Sequence, residues 1–351
     1  MRRKNKSTSG FIKLLGFISL ILMIKNSMAQ QITHYLPSGK DSAKTISGQY
    51  GDNSGICLFE DGKFMLFGYA TLVFGSYVFE KDYLLFYPDE IPLFQLYAYR
   101  NPRLTDTTRI DFIGFEQEKT FVQFENDSPN QVFNDKANCF SPPFIFQQAK
   151  ISQSLKFAAR SQNVDQDTTY QVFQYTNDGE FNDFLAIYNK PQRARQNFSA
   201  YLYLAEDKKL AIRLSNYGGE KGFLRENPAD RTQEYWREKL HMKEAYEHAG
   251  AIEPMEIYCN QHYTIFYPDL SEYVLDSGKK QYIHTSAKDN EDYFTENPTQ
   301  DDRYLMKYIR QNLRYKQPNS FNVSKGSNTS LFFSSCEEPE RSYKYQKGRI
   351  H

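Results

Sequence analysis

Between Thr45 and about Phe140, short apolar runs alternate with polar positions and are broken by turn residues, the pattern of antiparallel strands. Leu58-Phe59-Glu60-Asp61-Gly62-Lys63-Phe64 sets Asp-Gly between two apolar runs, which predicts a hairpin. A second hairpin is predicted around Glu80-Lys81-Asp82, joining a strand that ends at Phe79 to Tyr83-Leu84-Leu85-Phe86-Tyr87. Leu93 to Tyr99, Arg109 to Phe115 and Thr120 to Phe124 continue the series. Short strands at this spacing predict a small barrel or sandwich.

After Ser141-Pro142-Pro143 the pattern becomes mixed. Ile151, Leu155, Ala158 and Ala159 fall at helical spacing in a segment that also reads as a strand. Strands are predicted at Thr169 to Tyr175 and Phe181 to Tyr188, with a hairpin from Ala200 to Leu204 and Leu210 to Leu214. Two capped helices follow. One starts at Asn227-Pro228, ends before Gly250, and sets Tyr235, Met242, Tyr246 and Ala249 on one face; the other starts at Asn297-Pro298 with Leu305, Ile309 and Leu313 as its stripe. Between them, Glu256 to Cys259 and Tyr263 to Tyr267 read as strands. From Lys316 the chain is polar, with one apolar island at Leu331-Phe332-Phe333 expected to dock. The expected class is mainly β with an α+β C-terminal part: an antiparallel barrel or sandwich over 30–140, a mixed region with two capped helices over 141–315, and a tail over 316–351.

Residues 1–29 change the compartment. Arg2, Arg3, Lys4 and Lys6 precede an apolar run from Leu14 to Ile24 and the small-residue site Ser27-Met28-Ala29, the three-part layout of a cleavable signal peptide. The run is shorter than the roughly 20 residues that span a bilayer, so cleavage after Ala29 is expected, with no transmembrane segment in the mature chain. The product is then secreted or periplasmic. Losing the six basic residues of this segment turns a balance of 43 basic and 43 acidic residues into a deficit of six. That gives no electrostatic footprint for nucleic acid.

The mature chain keeps Cys57, Cys139, Cys259 and Cys336. An even count in an oxidising compartment allows disulfides, and Cys57–Cys139 with Cys259–Cys336 are the pairings that stay within two sequential domains. A buried free thiol suits Cys57 equally well, because it sits in the apolar run Ile56-Cys57-Leu58-Phe59. The 27 Tyr and 28 Phe fit β-sheet cores, and alternatively contact with sugar or lipid.

The stretch Ser47-Gly48-Gln49-Tyr50, with CLFEDGKFMLFG and FGSYVFEKDYLLFYP after it, resembles the opening of secreted bacterial lipocalin-like domains. The resemblance covers about forty residues, and Tyr50 stands where that pattern has Trp. It implies an up-and-down barrel with an apolar cavity, and it carries no catalytic residues.

Candidate chemistry is sparse. His241, Glu244 and His248 fall within about 60° of one another on the first predicted helix, a geometry that could hold a metal with a ligand from elsewhere. They also lie opposite the apolar stripe, where a solvated face accounts for them, and no cofactor is expected. Gly51-Asp52-Asn53-Ser54-Gly55 lacks nucleophile-elbow spacing, and Ser38-Gly39-Lys40 is followed by Asp41 where a phosphate-binding loop needs Ser or Thr. Asp178, Glu180, Asp183, Asp301 and Asp302 suit turns and helix starts and give no catalytic pair. Asn126, Asn197, Asn322 and Asn328 begin glycosylation sequons. The expected function is non-enzymatic binding of a small apolar or glycan ligand or an envelope component. A secreted polysaccharide hydrolase and a structural envelope or matrix protein are the alternatives.

Overall fold

The computed structural model describes residues 35, 41–160, 170–205, 208–226, 233–248, 254–317, 321 and 330–336. The export segment with Ala29, the loop Ser38-Gly39-Lys40, the helix boundaries at Asn227-Pro228 and Gly250, and the sequons at Asn322 and Asn328 lie outside them. The chain is mostly β. The first described elements are helix α1 (Ser42–Ile46) and strands β1 (Gly48–Tyr50), β2 (Gly55–Leu58), β3 (Lys63–Gly68), β4 (Thr71–Glu80) and β5 (Tyr83–Pro88). Next come β6 (Phe94–Tyr99), β7 (Thr108–Ile113), β8 (Thr120–Phe124), β9 (Asn130–Gln131), β10 (Ile145–Gln148), β11 (Ser154–Arg160), β12 (Tyr170–Thr176) and β13 (Asp183–Tyr188). These are followed by β14 (Phe198–Leu204), β15 (Leu210–Leu214), β16 (Phe223–Leu224) and helix α2 (Gln233–His248). The last elements are β17 (Glu256–Cys259), β18 (Ile265–Phe266), β19 (Tyr273–Asp276), β20 (Gln281–His284), helix α3 (Glu291–Glu296), β21 (Tyr304–Gln311) and β22 (Arg314–Lys316).

Two compact units divide the chain: residues up to Asp89 with Arg193–Glu244, and Glu90–Gln192 with the residues from Ala245 onward. The first is an eight-stranded antiparallel sheet in the order β1-β2-β3-β4-β5-β14-β15-β16. It is nearly closed into a barrel, because Tyr50 bridges Arg225 and the amides of Gly51 and Glu226 donate to Leu224 O and Gln49 O. Alternation dictates the interior. Phe64, Leu66, Leu84, Phe86, Phe198 and Leu202 all point into one core, with Phe86 stacked on Phe198 at 4.6 Å and Phe64 edge-on to both. Tyr77 and Tyr50 keep their buried hydroxyls satisfied by donating to Phe59 O and Ile46 O. Both predicted hairpins are present. Gly62 takes φ +80° in the first, and at Gly75 a side chain would come within 2.3 Å of Tyr87 O. Outside the barrel, α2 lays its Trp236 ring 5.7 Å from Phe59 and its Lys243 Nζ 2.6 Å from Asp61.

The second unit is a sandwich. A nine-stranded sheet runs β10-β7-β13-β6-β21-β17-β18, with the β19–β20 hairpin joined to β21, and a five-stranded sheet runs β22-β12-β11-β8-β9. Phe94, Ile110, Phe112 and Phe184 of the larger sheet share one core with Val122, Leu155 and Phe157 of the smaller. Strands β7 and β13 pair in parallel. Parallel neighbours need a long connection, which here carries most of the second sheet. Phe332 of the apolar island docks into this core and bridges Phe133, next to Cys139 and Cys336.

Two expectations are corrected, and one open alternative is decided. Leu305 and Ile309 lie in strand β21, paired with β6, β17 and β20, not on a second long helix, and Leu313 follows in the link to β22. A spacing of four residues fits both the helical and the two-residue period, and the sheet supplies the partners that decide it. Pro298 opens only a single 3₁₀ turn (Pro298–Gln300). Of the two readings left open for the segment with Leu155 and Ala158, the structure has the strand, β11. The expected pairings are not formed: Cys139 and Cys336 stand at disulfide distance with Cα atoms 5.1 Å apart, Cys57 is the buried free thiol that its apolar run allowed, and Cys259 is free and buried as well.

Candidate binding groove and buried polar network

The parallel register of β7 and β13 sets Arg109 beside Asp183 within the second unit. Asp183 is fully buried, and its carboxylate is surrounded by donors: Arg109 Nη2 at 2.6 Å, Asn101 Nδ2 at 2.7 Å and Tyr263 OH at 2.5 Å. Asn182 fixes the entry to the strand by a reciprocal pair with Asn101, accepting from its amide and donating to its carbonyl. The Arg109 guanidinium also lies 5.1 Å from the centre of the Tyr263 ring. Burial works against its charge, but Tyr263 and Asp183 more than offset it and raise its pKa, so it stays ionised.

Asp111, two residues along β7, is buried as well, and its Oδ1 accepts no hydrogen bond among the described residues. Burial pushes its carboxyl up to about 7, against backbone hydrogen bonds from Phe144 and Phe112 that favour the ionised form. The phenols of Tyr263 and Tyr308 are driven up by burial and then by the charge of Asp183. Burial raises the Cys259 thiol too, with Asp111 and Asp183 adding to it. A single guanidinium thus neutralises one of two neighbouring carboxyls, burial raises the other to about 7, and the thiol and the phenols stay protonated. A protonated thiol and protonated phenols are poor nucleophiles, so the network reads as a structural knot in the sheet.

A groove of about 360 Å³ opens where the β19–β20 hairpin meets the larger sheet. Ala98, Phe181, Leu275 and Ile309 give it an apolar surface, and Leu275 and Ile309 are 49% and 39% exposed. The hairpin turn is pinned from both sides. Asp276 Oδ1 accepts from the Lys279 amide at 3.0 Å, and the Tyr99 hydroxyl reaches the carbonyls of Lys279 and Lys280 at 3.0 and 3.1 Å. Three cations line the rim: Arg100, Lys280 and Lys307. A second, polar pocket of about 280 Å³ lies beside β12 and β22, with Gln174, Asp178, Arg314 and Lys316 in its wall.

The residues singled out in the sequence fall elsewhere. His241 Nδ1 and Glu244 Oε2 are 3.5 Å apart on an exposed face of α2, and His248 is exposed at its end. Among the described residues no group of three or more His, Cys, Asp or Glu is placed to hold a metal. Glu180 sits in a turn with φ +57°, and Asp178 lines the polar pocket. Asp301 opens no α-helix; it clamps Arg303 through Nε at 2.9 Å and Nη2 at 3.0 Å. Asp183, read as a strand-flanking turn residue, is the centre of the buried network instead. The available signal was Arg109-Ile110-Asp111-Phe112: charges at positions i and i+2 of an otherwise apolar strand place both on one face. No family model matches the chain, and neither curated proteins nor solved structures give a match.

Proposed function

We propose that this chain is an exported, non-enzymatic binding protein whose small ligand seats an apolar body in the groove under the β19–β20 hairpin. The observation that carries the reading is the groove itself: apolar side chains held open to solvent, under a turn fixed to the sheet by Tyr99. Ligand pockets are typically concave, largely apolar and preformed, about 300–1,000 Å³ in volume. The barrel, which the resemblance to lipocalin-like domains would make the binding site, has a core crowded by Phe64, Phe86 and Phe198. The buried Asp183 carboxylate is engaged by Arg109, Asn101 and Tyr263, which favours a structural role for it over hydrolysis. Among the described residues no helix is long and apolar enough to cross a membrane.

The test is fluorescence titration of the purified chain with the neutral probe N-phenyl-1-naphthylamine. The expected outcome is saturable enhancement that falls at least tenfold in affinity in Leu275→Glu and Ile309→Glu, both exposed positions, with circular dichroism unchanged. Unchanged titration in both variants would move the site away from the groove. A second reading, attachment to an envelope surface, is favoured by the exposed Leu72, Val78 and Tyr87 on β4 and β5. Vesicle co-sedimentation that is lost in Val78→Lys would support it.

A further inference from the structure

Resting on the groove as the binding site, we propose that its ligand is an amphiphilic anion, with an apolar body and one negatively charged head. The lining holds Arg100, Lys280 and Lys307 and no carboxylate. These cations are not equivalent. Lys307 Nζ lies 2.9 Å from Glu256 Oε1, so its charge is already answered. Lys279, next in the turn, lies 3.6 Å from Asp276. Arg100 is different: its Nη1 donates to the backbone carbonyl of Glu180 at 2.9 Å, which orients the guanidinium without neutralising it. Lys280 is exposed and forms no ion pair among the described residues.

Two unanswered positive charges therefore flank an apolar surface in a protein whose export would leave it with a net negative charge. A purely apolar ligand would leave that pair unused. A cationic ligand would meet repulsion without any compensating acid in the lining. An acid with a hydrocarbon or aromatic body satisfies both parts: its body lies against Ala98, Phe181, Leu275 and Ile309, and its head meets Arg100 and Lys280. The backbone of Lys280 is held at φ +51° and by the Tyr99 hydroxyl, so the base of its side chain is positioned before a ligand arrives. Carboxylate, sulfate and phosphate heads share this chemistry.

The experiment is isothermal titration of the purified chain with decanoate, decyl sulfate and decanol, each below its micelle concentration. Half-exposed ion pairs are individually weak, so two of them should favour the anions by about five- to tenfold. That preference should shrink as salt is raised, because exposed charges are screened. In Lys280→Gln and in Arg100→Gln/Lys280→Gln the preference should fall stepwise, while decanol affinity stays as in the parent. Binding of decanol as tight as decanoate, or a preference unchanged in the double variant, overturns the anionic head and leaves the groove standing. Failure of all three to bind, with circular dichroism unchanged, overturns the groove itself. Binding of one anion alone among the two supports the proposal and identifies the head.

Discussion

At the residue scale, the informative positions are Arg109, Asp111 and Asp183, three charged side chains drawn into one sheet. Asp183 is satisfied by Arg109, so Asp183→Asn would leave a buried guanidinium without its counter-charge. Breaking such a pair typically costs about 3–5 kcal/mol, and denaturant titration of the variant should show a loss of that order. Asp111 gives the opposite kind of dependence. Its carboxyl stands at about 7 in the fold against an ordinary 3.8, so between those values the folded chain holds a proton that the unfolded chain has released. Stability from this group is complete below pH 4 and is lost as pH rises toward 7, by at most on the order of 4 kcal/mol. Asp111→Asn should flatten the stability profile between pH 4 and 7; an unaltered slope would assign it to other groups. None of this was legible from Asp183 as a lone acid beside a turn, because pairing across β7 and β13 joins residues 74 apart in sequence. The i, i+2 charges of β7 were visible, but their partner was not.

At the element scale, local chemistry carried far where neighbours in sequence are also neighbours in space. Asp61-Gly62 and Lys81-Asp82 turn the hairpins predicted for them, and the pair β14–β15 is likewise local. It failed at β21, which pairs with the preceding strand β20 but also with β17 and, from a far part of the chain, with β6. Helix α2 lies between these cases: its solvent face with His241 and Glu244 follows from periodicity, but its attachment to Phe59 through Trp236 needs the barrel. Trp236 is the single tryptophan, which makes that attachment measurable. Phe59 is 2% exposed, so Phe59→Ala should destabilise the barrel by about 3 kcal/mol or more and shift the Trp236 emission to the red. A destabilised variant with unshifted emission would show that the helix is held by other contacts, such as Lys243 with Asp61 and Lys239 over the Phe67 ring.

At the scale of the whole molecule, the two units are interleaved in sequence yet separate in their cores. Every member of the barrel core lies between Ile46 and Phe86 or between Phe198 and Leu214, and the sandwich core is drawn from Glu90–Gln192 and the residues beyond Ala245. The barrel is thus interrupted between β5 and β14, two strands that are hydrogen-bonded partners despite the intervening segment. Phe86 pairs with Phe198, and Arg195 Nη1 reaches Asp89 O at 3.4 Å, so the points where the chain leaves and re-enters the barrel are close together. Insertions are tolerated at such sites because the ends of the inserted piece meet, and antiparallel neighbours can be rejoined by a short hairpin loop. A chain of residues 30–89 joined to 193–253 through an Asn-Gly loop should therefore fold by itself, with a β-type circular dichroism spectrum and one cooperative unfolding transition. Its core contains its own aromatic stack, its closing bridge from Tyr50 to Arg225 and its covering helix, all present in the shortened chain. It should bind neither N-phenyl-1-naphthylamine nor decanoate, since Leu275, Ile309 and Lys280 are gone. A shortened chain that unfolds without cooperativity would show that the barrel depends on the inserted unit. One that folds and still binds would place the ligand in the barrel, as the lipocalin-like resemblance implies, and would remove the groove from consideration.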